Sequence, residues 1–172
     1  MVTLAEAGKT LWYAAPRAAS GTRTGEHAER PMSGAATSMA KHSIEGRVIS
    51  RTGDAVVLAI PGTDYRLHLA VEAGVAADER GELRGSLEAE AKRVDVVGSG
   101  GKFVEPVIGR PRRIQGRIVG GDARLGAIVV DAGFGPIVCR LTDPRQGLAD
   151  FSTGQLVAFD VMRGARLVAV DR

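Results

Sequence analysis

The chain writes one short pattern twice, and this repetition limits its fold more than any other feature. Ile44-Glu45-Gly46-Arg47-Val48 returns 70 positions later as Ile114-Gln115-Gly116-Arg117-Ile118. A second block follows in the same order, Tyr65-Arg66-Leu67-His68-Leu69 against Ile137-Val138-Cys139-Arg140-Leu141, at an offset of 72. A third sets "GELRGSLEAEAKRVDVV" from Gly81 against "GQLVAFDVMRGARLVAV" from Gly154, at an offset of 73. Three collinear blocks with so little drift predict an internal duplication. The copies run from about 44 to 97 and from 114 to 170.

Each copy reads as β-structure. The apolar runs are short, rich in Val, Ile and Leu, and punctuated by Gly, Pro and Asp. Copy one predicts strands near 44–51, 55–60, 64–69, 83–90 and 93–97. Copy two predicts strands near 114–120, 126–131, 136–141, 155–162 and 166–170. "RTGD", "PGTD", "DAGFGP" and "MRGAR" supply the turns. Ala70–Glu79 leaves room for a short helix or loop. The fold class is therefore all-β.

Five short strands with a longer connection after the third match a small closed barrel, which removes exposed sheet edges. The Ile-x-Gly-x-Val first strand, the Tyr65-Arg66-Leu67 third strand and the Gly-x-Leu entry to the fourth resemble the initiation-factor and cold-shock type of OB domain. That resemblance implies two tandem five-stranded OB-like barrels. SH3-like barrels are the alternative for strands of this number and length. The domains are then 43–97 and 114–172, joined by the Gly-, Pro- and Arg-rich connector 98–113. Phe103, Val104, Val107 and Ile108 predict that this connector lies on a barrel surface.

Residues 1–42 differ in kind. They are rich in Ala, Ser, Thr and Gly and hold no sustained period. Such a segment buries too little apolar surface to offset the entropy of ordering, so it predicts a disordered extension. Trp12 and Tyr13 are its exceptions. "MAKHSIEGRV" reads as a natural start, so translation from Met39 or Met32 is a second expectation.

The pI of about 9.4 suggests a polyanionic partner, but the charge must first be located. Residues 1–42 hold five basic and three acidic residues; residues 43–172 hold 18 and 17. The folded part is nearly neutral, so only a local patch could bind nucleic acid. The single cysteine, Cys139, forms no internal disulfide, and alternation places it in the core. With no secretory start and no apolar run of membrane-spanning length, the expected compartment is the cytoplasm.

Motifs for chemistry are missing. The three histidines show no metal-ligand spacing, and neither a nucleophile elbow nor a phosphate loop occurs. No cofactor, no metal and no catalytic residue is predicted, and the chain reads as a binding module rather than an enzyme. Glu88 and Glu90 alternate on what reads as a solvated strand face.

The basic residues are the best remaining signal. Lys102, Arg110, Arg112, Arg113 and Arg117 cluster around the connector and the strand that follows. Arg47 matches Arg117 in the repeat, while Arg66 and His68 point outward from a third strand. Together they predict weak, largely sequence-independent binding of single-stranded RNA or DNA through the phosphate backbone. A competing reading is a structural module that dimerises or docks a protein partner. Its carriers are Val157 and Phe159, on a strand apolar on both faces; they pack on the other barrel, on a partner, or in the barrel core. A third reading rests on "RRIQGR" and "DFSTG", which resemble the cyclic-dinucleotide signature of PilZ barrels, with the second motif one residue shorter.

Overall fold

The computed structural model describes residues 42–170. The N-terminal extension, with Trp12, Tyr13 and both alternative start methionines, lies outside the described residues. Among the described residues the chain is all-β and holds no α-helix. In chain order the strands are β1 (Ser43–Thr52), β2 (Ala55–Ala59), β3 (Arg66–Val71), β4 (Glu82–Val96), β5 (Phe103–Glu105), β6 (Ile108–Gly109), β7 (Arg113–Asp122), β8 (Ala127–Asp131), β9 (Pro136–Leu141) and β10 (Leu156–Val168).

β1, β2 and β3 form an antiparallel meander, and β7, β8 and β9 form another. The two meanders correspond pair by pair. Val48 faces Leu58, and Leu58 faces Leu67; Ile118 faces Val130, and Val130 faces Ile137. A bulge interrupts each first strand at the matching residue, Ile49 and Val119. The third strands correspond at an offset of 70, not the 72 suggested by Tyr65 against Ile137. A slip of two leaves every side chain on the same face, so hydrophobic phase does not reveal it.

The repeated pattern has a physical reason. Gly46 and Gly116 both face inward, where the first strand crosses the second. A Cβ on Gly46 would lie 2.6 Å from Leu58 Cγ, and one on Gly116 would lie 2.3 Å from the Asp131 carbonyl oxygen. Only glycine lets the two strands approach so closely, which is why each copy writes Ile-x-Gly-Arg before a β-branched residue.

The fourth strands are where sequence and structure part. Each copy was expected to hold two short strands there, but the structure holds one long strand, β4 or β10. "MRGAR" is a bulge within β10, not a hairpin turn. The long strands pair with each other in antiparallel fashion over most of their length. Each also serves both copies. β4 pairs with β1 through Ser86, then with β9 from Leu87. β10 pairs with β7 through Asp160, then with β3 at Arg166 and Leu167. Two closed circuits result, β1-β2-β3-β10-β4 and β7-β8-β9-β4-β10, and both contain the β4–β10 pair. Strand pairing thus crosses the 97/98 boundary in both directions.

One apolar core follows, drawing on both copies from Ile44 to Leu167. Inward positions on β4 alternate as Leu83, Leu87, Ala89 and Ala91, all buried. The outward face of β4 holds a correction. Glu88, expected in solvent, is only 3% exposed. Its carboxylate accepts hydrogen bonds from Arg166 Nη2 at 2.7 Å and Nε at 3.1 Å. Arg140 Nε lies 3.3 Å from the same oxygen without hydrogen-bond geometry. Two guanidiniums brought by β9 and β10 offset the cost of burying this charge. Neither partner is near Glu88 in sequence, so alternation alone places it in water.

Candidate functional site at the β10 crossing

Between Asp160 and Arg166, β10 leaves one neighbour and has not yet joined the next. Here it carries two residues, Arg163 and Gly164, with no counterpart on β4: Met162 faces Glu90, and Ala165 already faces Ala89. The connector fills the gap. Val161 N–H donates to the Arg112 carbonyl at 2.8 Å, and Arg66 N–H donates to the Val107 carbonyl at 2.9 Å. Ile108 and Gly109 pair with Arg66 and Leu67 as the short strand β6. Upstream, Tyr65 Oη accepts the Val104 N–H at 3.0 Å, and the Tyr65 ring packs on Phe134 at 5.1 Å between centroids. Pro106 and Pro111 restrict the backbone between these anchors. The connector therefore packs along β3, β7 and β10.

This path gathers part of the predicted basic set. Arg66 stands beside Ile108, Arg112 beside Val161, and Arg110 lies across Gly164. A Cβ on Gly164 would be 2.7 Å from Arg110 Nε and 2.9 Å from its Cγ. All three arginines are exposed, and none forms an ion pair among the described residues. Sequence reasoning missed Arg163. It is exposed and is the one non-glycine residue among those described with a left-handed backbone, at φ 57°. That conformation costs an ordinary side chain about 1 kcal/mol or more. The signal was present in "MRGAR", where Arg precedes Gly, but it read as a turn.

The other predicted residues are placed differently. Lys102 is engaged by Asp131, whose carboxyl it holds below its ordinary pKa through their hydrogen bond. Arg113 pairs with Asp160 at 3.2 Å. Arg117 donates to the Gly154 carbonyl at 2.9 Å, which brings "RRIQGR" and "DFSTG" together. Asp150 of the second motif is already bonded to the Gly147 N–H. Arg47 and His68 are exposed on β1 and β3. Val157 and Phe159 are 0% and 2% exposed. They fill the core common to both copies, so they offer no open face to a partner chain.

Aromatic side chains contribute little to this surface. Phe151 and Phe159 are buried, and Tyr65, Phe103 and Phe134 are partly buried. Elsewhere an open cleft of about 540 Å³ is lined by Arg93, Asp95, Asp143, Arg145, Gln146 and Asp150 among others. Both its arginines are paired locally, and Asp150 leaves one carboxylate in excess. Arg93 bonds Asp95 at 2.8 Å, and Arg145 makes a two-point contact with Asp143 at 2.9 Å for each bond. Gln146 is fixed on the Val94 backbone through both its amide groups. No group of three or more His, Cys, Asp or Glu among the described residues is arranged to hold a metal ion. Cys139 is fully buried, and burial pushes its thiol pKa up. No helix among the described residues is long and apolar enough to cross a membrane. No protein-family model, no curated protein and no solved structure matches this chain.

Proposed function

We propose that the protein is a duplicated pair of OB-like barrels that binds single-stranded RNA or DNA without catalysing a reaction. One observation carries the reading. Arg66 on β3 and Arg110 and Arg112 on the connector lie where the connector meets β3 and β10, and all three are exposed and free of ion pairs among the described residues. Cations arranged this way attract phosphates and release counterions. Among the described residues no aromatic side chain is fully exposed, which argues for contacts to the backbone rather than stacking on bases. Binding is then weak, salt-sensitive and nearly indifferent to sequence. Docking of a protein partner has lost its named carriers, because Val157 and Phe159 are core residues.

The test is fluorescence anisotropy of the full chain with short single-stranded RNA and DNA, across a salt series. Binding should appear at low salt, with a log–log slope near −0.7 per phosphate contact. Arg110→Glu combined with Arg112→Glu should abolish it and leave the thermal midpoint in place. Equal binding by that variant would refute the assignment.

A further inference from the structure

We propose that the Arg163-Gly164 bulge is a built phosphate clamp, in which Gly164 seats Arg110 and Arg163 supplies a second guanidinium to one phosphodiester group. This rests on the nucleic-acid reading above. Arg163 occupies a left-handed conformation that glycine adopts freely, and the chain does place a glycine at the very next position. An arginine kept on such a backbone needs a reason beyond the turn itself, since the turn would be better served without its side chain.

Gly164 supplies the second observation. Its missing side chain leaves the space crossed by Arg110 Nε, Cγ and Cδ, all within 3.0 Å of where a Cβ would stand. The bulge thus fixes the stem of one arginine from the connector and presents another of its own. Charge supplies the third. Neighbouring arginines are neutralised, Arg113 by Asp160 and Arg166 by Glu88. Arg110, Arg112 and Arg163 have no acidic ion-pair partner among the described residues. Guanidinium groups suit phosphate oxygens through their planar fork of donors, and no aromatic side chain among the described residues is fully exposed to read a base.

The experiment compares the full-length protein with Arg163→Gly and with Arg124→Gly. Arg124 is an exposed arginine in the turn between β7 and β8, outside both the bulge and the connector. The probe is a labelled 12-nucleotide oligo-U. Arg163→Gly should raise the thermal midpoint by about 3 °C, because it relieves the left-handed backbone. It should also weaken binding roughly five-fold and lower the salt slope by about 0.7, the share of one phosphate contact. Arg124→Gly should leave affinity within two-fold. A raised midpoint with unchanged affinity and slope would overturn the clamp while leaving the nucleic-acid reading intact. Equal weakening by Arg124→Gly would also overturn it, since the effect would be general charge. No binding of oligo-U by the unaltered protein at low salt would instead overturn the nucleic-acid reading itself. If inorganic phosphate at millimolar concentration competes as well as a matched amount of oligo-U phosphate, the site recognises a free anion and not a strand, and the proposal fails.

Discussion

The two crossings solve one geometric problem in opposite ways. β4 passes from β1 to β9 between Ser86 and Leu87 without an unpaired residue. Its outward face there is closed, and the charge that lies on it, Glu88, is buried and held by arginines. β10 passes from β7 to β3 with several residues between its neighbours, a two-residue bulge and a strained backbone. A separate connector closes that gap and brings exposed arginines with it. The tight crossing uses its charges to hold the fold. The loose one leaves Arg110, Arg112 and Arg163 exposed and without an ion pair among the described residues. Where a repeated structure breaks its own symmetry, the departure is the place to look for function.

The largest expected effect tests whether the crossings belong to one body. Phe159 lies on β10 and packs in the core that both copies share. Phe159→Ala should cost about 3–5 kcal/mol, and calorimetry should still record one transition. Two separate transitions would break the comparison at its base. Next come the paired glycines. Gly116→Ala forces a Cβ to 2.3 Å from a backbone carbonyl oxygen, whereas at Gly46 the approaches are longer, 2.6 Å to the buried Leu58 Cγ and 2.9 Å to the Ala59 carbonyl oxygen. Urea titration should find Gly116→Ala costing about 3 kcal/mol and Gly46→Ala less. Equal costs would mean that the two first strands are not seated as described.

Glu88→Gln sharpens the contrast between the crossings. It leaves two arginines without their carboxylate and should cost about 1–3 kcal/mol by urea titration, whereas Arg163→Gly at the other crossing should stabilise. The smallest effect concerns pH. Hydrogen bonds from the Arg145 side chain and backbone hold Asp143 down to about 2, from an ordinary value of 3.8. The folded carboxyl is thus more acidic than the unfolded one. Its contribution is present above about pH 4 and is lost as pH falls toward 2. Asp143→Asn should lower the thermal midpoint slightly at neutral pH, where the contribution is present, and change little near pH 2, which flattens the acid dependence. A variant whose midpoint falls just as steeply between pH 4 and 2 would contradict the pairing.

Much of the architecture was legible because it depends on neighbours in sequence. Alternation gave the six short meander strands, and Gly-Asp clusters gave their turns. The glycine inside Ile-x-Gly-Arg was visible as a repeat before its close approach to Leu58 or Asp131 could be known. What alternation does not carry is the identity of the strand alongside. Glu88 therefore read as solvated, since only the arrival of Arg140 and Arg166 makes its burial possible. "MRGAR" read as a hairpin turn for the same reason: an Arg-Gly pair serves a turn and a bulge equally well, and long-range pairing decides between them. The basic cluster was legible as composition. Its division was not, because Asp131 and Asp160, which engage Lys102 and Arg113, lie far along the chain.

The central claim is that β4 and β10 each belong to both copies, so that the halves hold one another without the connector's covalent link. A specific protease site placed within Gly98–Gly101 of the full-length chain tests it most directly. After complete cleavage, the two pieces should co-elute in native gel filtration at the intact size and separate only in denaturant. Pieces that part in native buffer, each keeping its own folded spectrum, would contradict the exchange of strands.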